Sequence, residues 1–164
     1  MIGEFSPDPD WSALHAYEGL TLLRDFDVVD LAARFRARLI YLATPYSRRA
    51  VDENGAWCLH RSMSAATEAS AWAWRLARAG LTAVSPVMLS AQMVQDEYTA
   101  EHPHEDAIGP LDHAAWEAWC RPLLAASELV AIPPIDGWEV SRGIWREAVA
   151  ALAVNKPVIV MEEG

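Results

Sequence analysis

The sequence predicts an α/β protein: a doubly wound parallel sheet of four to five strands with helices on both faces, preceded by an N-terminal helical extension. Three observations lead there. Four short apolar runs recur along residues 38–161, stretches of helical period separate them, and residues that start or stop helices stand at the joins. Alternation of this kind favours parallel strands joined by right-handed helical crossovers.

The four runs are RLIYLAT (38–44), LTAVSPV (81–87), ELVAIPP (128–134) and KPVIVM (156–161). Between the first two lies the Ala-rich segment 55–80, which closes on Gly80 in the role of a helix stop. Segment 112–127 reads as a helix capped by Asp112. A third helix spans Ser141 to Val154, with Ser141 as N-cap and Asn155 just past its end. Segment 91–111 is polar and without clear period, which suggests a long loop or lid. Residues 1–37 fall outside the alternation. Two short helices are expected there, and the chain divides into an extension (1–37) and an α/β domain (38–164).

The 164 residues suit one compact domain, and the 52% hydrophobic content suffices for a core. Twenty-three acidic residues against 13 basic ones give a net charge of −10, which disfavours a nucleic-acid partner. Cys58 and Cys120 lie far apart, as in a reducing cytoplasm. The opening MIGEFSPDPDW lacks the basic and apolar regions of a signal peptide, and no run approaches the roughly 18 apolar residues of a membrane span. A cytoplasmic location without a membrane partner is expected.

In doubly wound sheets ligands bind beyond the C-terminal strand ends. Thr44 to Arg49, Pro86 to Ala91 and Pro133 to Gly143 occupy those places. Glu147 is the anomaly nearby. Its helical neighbours are Gly143, Ile144, Ala150, Ala151 and Val154. A carboxylate on an apolar face is paired, protonated or functional, or else it sits at the edge of the stripe. The preceding PPIDGWEVSRG offers Ser141 as a cap and Gly143 for close backbone approach. The free N–H groups of the helix start suit an anion. A carboxylate two turns from a phosphate site could attack an anomeric carbon. Arg48 and Arg49 suit either a phosphate clamp or plain loop charge. EHPHED (101–106) reads as a solvated loop tip, since no third ligand is fixed by spacing; no metal and no cofactor is implied. Trp138 could stack on a base or brace its turn.

The stretches IYLATPYS (40–47), GLTAVSPV (80–87) and GWEVSRGIWREAVAALAVNKPVIV (137–160) resemble the nucleoside 2-deoxyribosyltransferase-like superfamily, and within it the DUF1937-type branch. The resemblance implies a flavodoxin-like order of strands. It implies that Glu147, eight residues before Asn155, is the nucleophile. Ser141 stands six positions before Glu147, where the 2′-deoxynucleoside 5′-phosphate N-hydrolases carry Ser and the classical transferases Asp. By the same resemblance, Tyr41 abuts the site and Glu128 takes the place of an assisting Asp. Ala65 and Ala91 depart from the branch, which often has Arg and His there.

The expected function is therefore hydrolysis of the N-glycosidic bond of a nucleoside 5′-monophosphate through a glycosyl intermediate on Glu147. The alternatives are a deoxyribosyltransferase and a non-catalytic nucleotide-binding module. Candidate catalytic residues are Glu147, Glu128 and Tyr41. Candidate substrate contacts are Thr44, Ser47, Arg48, Trp138, Ser141, Arg142 and Gly143. The expected partners are a small nucleotide or nucleoside and further copies of the chain, as a homodimer or larger homo-oligomer.

Overall fold

The computed structural model describes residues 6–163; the opening MIGEF and Gly164 lie outside them. Five strands form one parallel sheet: β1 (Leu22–Phe26), β2 (Leu39–Leu42), β3 (Thr82–Val84), β4 (Leu129–Ile132) and β5 (Val158–Met161), in the order β1-β5-β4-β2-β3. The helices are α1 (Val28–Phe35), α2 (Leu59–Arg78), α3 (Pro86–Thr99), α4 (His113–Ala126) and α5 (Arg142–Ala153), with a 3-10 helix at Trp11–Tyr17. The predicted doubly wound α/β class is thus the observed one, and the four apolar runs contain β2 to β5.

The two faces of the sheet have separate cores. Ile40, Leu42, Leu129, Ala131 and Ile159 pack with Leu31 and Phe35 of α1 and with Trp72 and Leu76 of α2. Tyr41, Ala43, Val130, Ile132 and Val158 pack with Ile144, Trp145, Ala148 and Leu152 of α5, and with Leu14 of the 3-10 helix. Odd and even residues of each strand serve different cores, as the two-residue strand period requires. From β2 the chain crosses to β3 over the first face, and from β4 to β5 over the second. Neighbouring β2 and β4 therefore diverge, and the switch point lies at their C-terminal ends.

Caps stand where the sequence puts them. Asp112 accepts from Ala115 N at 3.0 Å and Ser141 from Ile144 N at 3.4 Å. Gly80 (φ 77°) and Asn155 (φ 57°) take the left-handed turns that end α2 and α5.

Two expectations need correction. The N-terminal segment holds an edge strand between its two short helices. Glu18 turns extended and Gly19 takes φ 72°, which ends the 3-10 turn, and residues 22–26 then pair with β5 through Leu22↔Val158 and Leu23↔Ile159. This partner is more than 130 residues away in sequence, and no local periodicity announces it. Of the two expected helices, the first is the 3-10 helix Trp11–Tyr17 and the second is α1, which forms on a capping box between Asp27 and Asp30. The segment 91–111 is not a continuous loop either. β3 ends at Val84, Ser85 caps α3, and Pro86 takes its first position, so helix runs to Thr99. Only Pro86, Ala91 and Val94 of α3 are buried, which leaves its polar majority looking aperiodic.

Candidate active site

At the switch point a cavity of about 380 Å³ opens between the loop after β2, the starts of α3 and α5, and one side of α4. At the end of β2 Tyr41 is fully buried, and it points away from the α1–α2 core toward α5. Glu147 lies one turn and a half into α5. Tyr41 Oη donates to Glu147 Oε1 at 2.5 Å, a short charge-assisted hydrogen bond. Glu147 Oε2 makes no hydrogen bond among the described residues. Glu147 keeps part of its surface open to the cavity. The protein around its carboxylate still pushes its pKa up to about 7. Desolvation is the main cause, aided by the negative charge of Glu117 and opposed by the Tyr41 hydrogen bond. Burial and the neighbouring carboxylate also raise Tyr41 far above the ordinary phenol, so it remains a donor. Cys120 of α4 is pushed up to about 11, mainly by burial and then by Glu147, and so stays a thiol.

The start of α5 forms another wall. Ser141, Arg142 and Gly143 line the cavity, and the backbone N–H groups of Arg142 and Gly143 find no acceptor among the described residues. Gly143 and Glu147 are four residues apart, about 6 Å along the axis at 1.5 Å per residue. Thr44 also lines the cavity. It is 7% exposed, and its Oγ1 is buried without a hydrogen-bond partner among the described residues. A buried hydroxyl left so costs about 1–3 kcal/mol, which a bound polar atom would relieve.

The cavity is locally cationic in a chain of net charge −10. Arg48, Arg121, Arg142, Arg146 and His113 face it, against Glu117 and Glu147. Arg146 pairs with Glu117 at 3.1 Å and Arg142 with Asp8 at 2.6 Å, while Arg48 and Arg121 have no ion pair among the described residues. Ser47 lies 3.5 Å from His113 Nδ1. Tyr46 anchors the loop that carries Ser47 and Arg48. Its hydroxyl receives Trp57 Nε1 at 3.0 Å and shares a 2.8 Å bond with Ser62, a side chain with no exposure.

Of the residues predicted from sequence, Tyr41, Thr44, Ser47, Arg48, Ser141, Arg142, Gly143 and Glu147 meet here. Two do not. Glu128 precedes β4 and so sits at the opposite, N-terminal edge of the sheet. It pairs with Arg38 at 3.3 Å and accepts from Leu39 N at 3.4 Å. Trp138 does not line the cavity; its ring meets Trp11 edge to face at 5.0 Å, and it braces the turn. Arg49 is also turned aside, to Glu68 at 2.6 Å. His104 of EHPHED pairs with Glu97 at 2.9 Å, which raises the imidazole pKa.

The wall made by α4 was missed. His113, Trp116, Glu117, Cys120, Arg121 and Leu124 recur at intervals of three and four, so one helix face meets the cavity. The signal was present in that spacing. It was masked because α4 has no fully buried residue, and its half-polar face reads as a surface.

No curated protein and no solved structure matches the chain. A family model described as a domain of unknown function, DUF1937, matches residues 38–163, which run from the start of β2 past the end of β5. The chain belongs to the DUF1937 family.

Proposed function

We propose that the cavity is the active site of an N-glycosidase acting on nucleoside 5′-monophosphates, with 2′-deoxynucleotides the expected form. The observation that carries this reading is the Tyr41–Glu147 pair, a cavity-lining carboxylate oriented by one buried donor at Oε1. The motif likeness to the nucleoside 2-deoxyribosyltransferase-like superfamily supports the same role for Glu147. In the reaction, Glu147 Oε2 bonds to C1′ as the C1′–N bond breaks. The base leaves with the bonding electrons and takes up a proton. Water then attacks C1′ and gives up a proton, which balances the one the base took; the C1′–O bond to Glu147 breaks and returns its electrons to the carboxylate, and the sugar 5-phosphate departs. Tyr41 holds the nucleophile throughout and stabilises its charge. The free N–H groups of Arg142 and Gly143 receive the phosphate. Their distance from Glu147 along α5 suits a ribose and its C5′ methylene. Transfer of the sugar to a second base would use the same first half-reaction.

The test is incubation with a panel of nucleoside 5′-monophosphates and chromatographic detection of free base. Release by the wild-type protein, and none by Glu147→Gln, is the expected result. A non-catalytic nucleotide-binding module is the second reading. It is favoured by the elevated pKa of Glu147, about 7, which leaves part of the nucleophile protonated at neutral pH, and by the distance of Glu128 from the cavity. Tight monophosphate binding without base release over long incubation would select it.

A further inference from the structure

The segment before residue 38 does more than add an edge strand. Residues 6–12 are fastened across the start of α5 by four contacts. Trp145 Nε1 donates to Ser6 O at 2.8 Å, and Trp11 Nε1 donates to Glu139 O at 2.8 Å. The Trp11 ring packs edge to face on Trp145 at 5.3 Å. Asp8 then pairs with the Arg142 guanidinium, at 2.7 Å to Nε and 2.6 Å to an Nη. Arg142 is thereby shared. It lines the cavity beside the free N–H groups of α5 and the unpartnered Thr44 hydroxyl, and it also holds a carboxylate from outside the DUF1937 domain.

We propose that Asp8 sets the affinity of the anion site: it competes with the ligand for Arg142, so that an anion takes the guanidinium only by displacing the Asp8 carboxylate. The proposal rests on the phosphate-binding half of the function proposed above. Two features make the competition effective. The pair is open to solvent on both sides, with side-chain exposures of 61% and 64%, and such pairs are weak enough to be exchanged. The neighbouring Arg146 pairs with Glu117, and these two side chains are less exposed, at 47% and 51%, so Arg142 holds the more solvent-open of the two ion pairs on α5. Any anion that takes Arg142 leaves the Asp8 carboxylate unpaired, and a monoanion brings no more charge than Asp8 to offset that loss. A phosphate monoester gains its second charge near pH 6 and outbids it. The ligand class is thus a phosphate monoester dianion, and the strap on α5 is part of the reader.

The probe is inorganic phosphate, titrated by calorimetry at pH 7.5 into the full chain and into Asp8→Asn. The substitution keeps the shape of the side chain and removes its charge. Phosphate is expected to bind Asp8→Asn about two- to fivefold more tightly, the span of one exposed ion pair. Formate, a monoanion, is expected to gain no more than phosphate, while a neutral nucleoside is expected to bind both proteins alike. In an Arg142→Gln background the Asp8→Asn gain should vanish. Unchanged or weaker phosphate binding in Asp8→Asn overturns the proposal, as does a gain that survives without Arg142, or phosphate binding to neither protein. If the gain appears but no base is released from any nucleotide, the anion reader stands and the glycosidase reading falls.

Discussion

The two edges of the sheet each carry a glutamate that the sequence marks as chemical, and they treat it in opposite ways. At the C-terminal edge Glu147 is enclosed, bonded to a buried phenol and raised to a pKa of about 7. At the N-terminal edge Glu128 is 48% exposed and rests on Arg38 and the backbone of Leu39. The residue type is the same, so strand polarity makes the difference. In a parallel sheet the helix starts, with their unpaired N–H groups, gather beyond the C-terminal strand ends, and a cavity forms where the crossovers diverge. The other edge receives helix ends, solvent and ordinary ion pairs. The edge a carboxylate occupies decides whether it is enclosed beside a cavity or left in solvent.

The strongest test of that contrast is removal of the enclosed carboxylate. Glu147→Ala is expected to lower base release by at least about 1,000-fold, since the proposed covalent half-reaction would lose its nucleophile. A thermal melt should show the fold intact. Near-normal turnover would erase the distinction between the two edges.

Tyr41→Phe is the next largest. Phe fills the same buried volume but removes the donor to Glu147 Oε1. A hydrogen bond to a charged group is worth about 1.5–3 kcal/mol, so a loss of roughly 10- to 150-fold is expected at neutral pH. The Tyr41 bond opposes the rise of the Glu147 pKa, so its loss should carry the pH–rate profile toward higher pH. In the wild type the rate should climb through about pH 7, where Glu147 ionises. A loss of rate with no movement of the profile would show that Tyr41 acts through packing alone.

Stability should carry the same signature. Glu147 titrates near 4.5 in the unfolded chain and about 7 in the fold, so the folded state binds the extra proton in that window. Stability is therefore full below about pH 4.5, falls as pH rises, and reaches its lower level above about pH 7. The whole fall is on the order of 3 kcal/mol at most. Glu147→Gln should abolish it, and denaturant midpoints at pH 5 and pH 8 compare the two proteins. An unaltered fall in Glu147→Gln would place its origin elsewhere.

Much of this was legible because it is local. The apolar runs of β2 to β5, the caps Asp112 and Ser141, and the lone carboxylate among Gly, Ala, Ile and Val are written in neighbouring residues. What was misread depends on partners distant in sequence. Edge strand β1 is defined by β5, and α3 begins inside what reads as a strand because Ser85-Pro86 turns the chain there. Glu128 was assigned to the site by family position, but it stands one residue before β4, at the edge away from the cavity. The face of α4 could be aligned with the cavity only once α5 and β2 were in place.

The smallest expected effect is the one that tests the other edge. Glu128→Gln removes the charge of the Arg38 pair but keeps a side chain able to accept from Leu39 N. Both partners are about half exposed, at 51% and 48%, so water screens the pair and replaces it when broken. The change in unfolding free energy should stay within about 0.5 kcal/mol. Base release and the pH profile should match the wild type, because Glu128 does not line the cavity. Steady-state kinetics across pH 5–9 measures this directly. A profile displaced by Glu128→Gln would mean that charge at the N-terminal edge reaches Glu147 through the length of β4, and the sharp division between the two edges would fail.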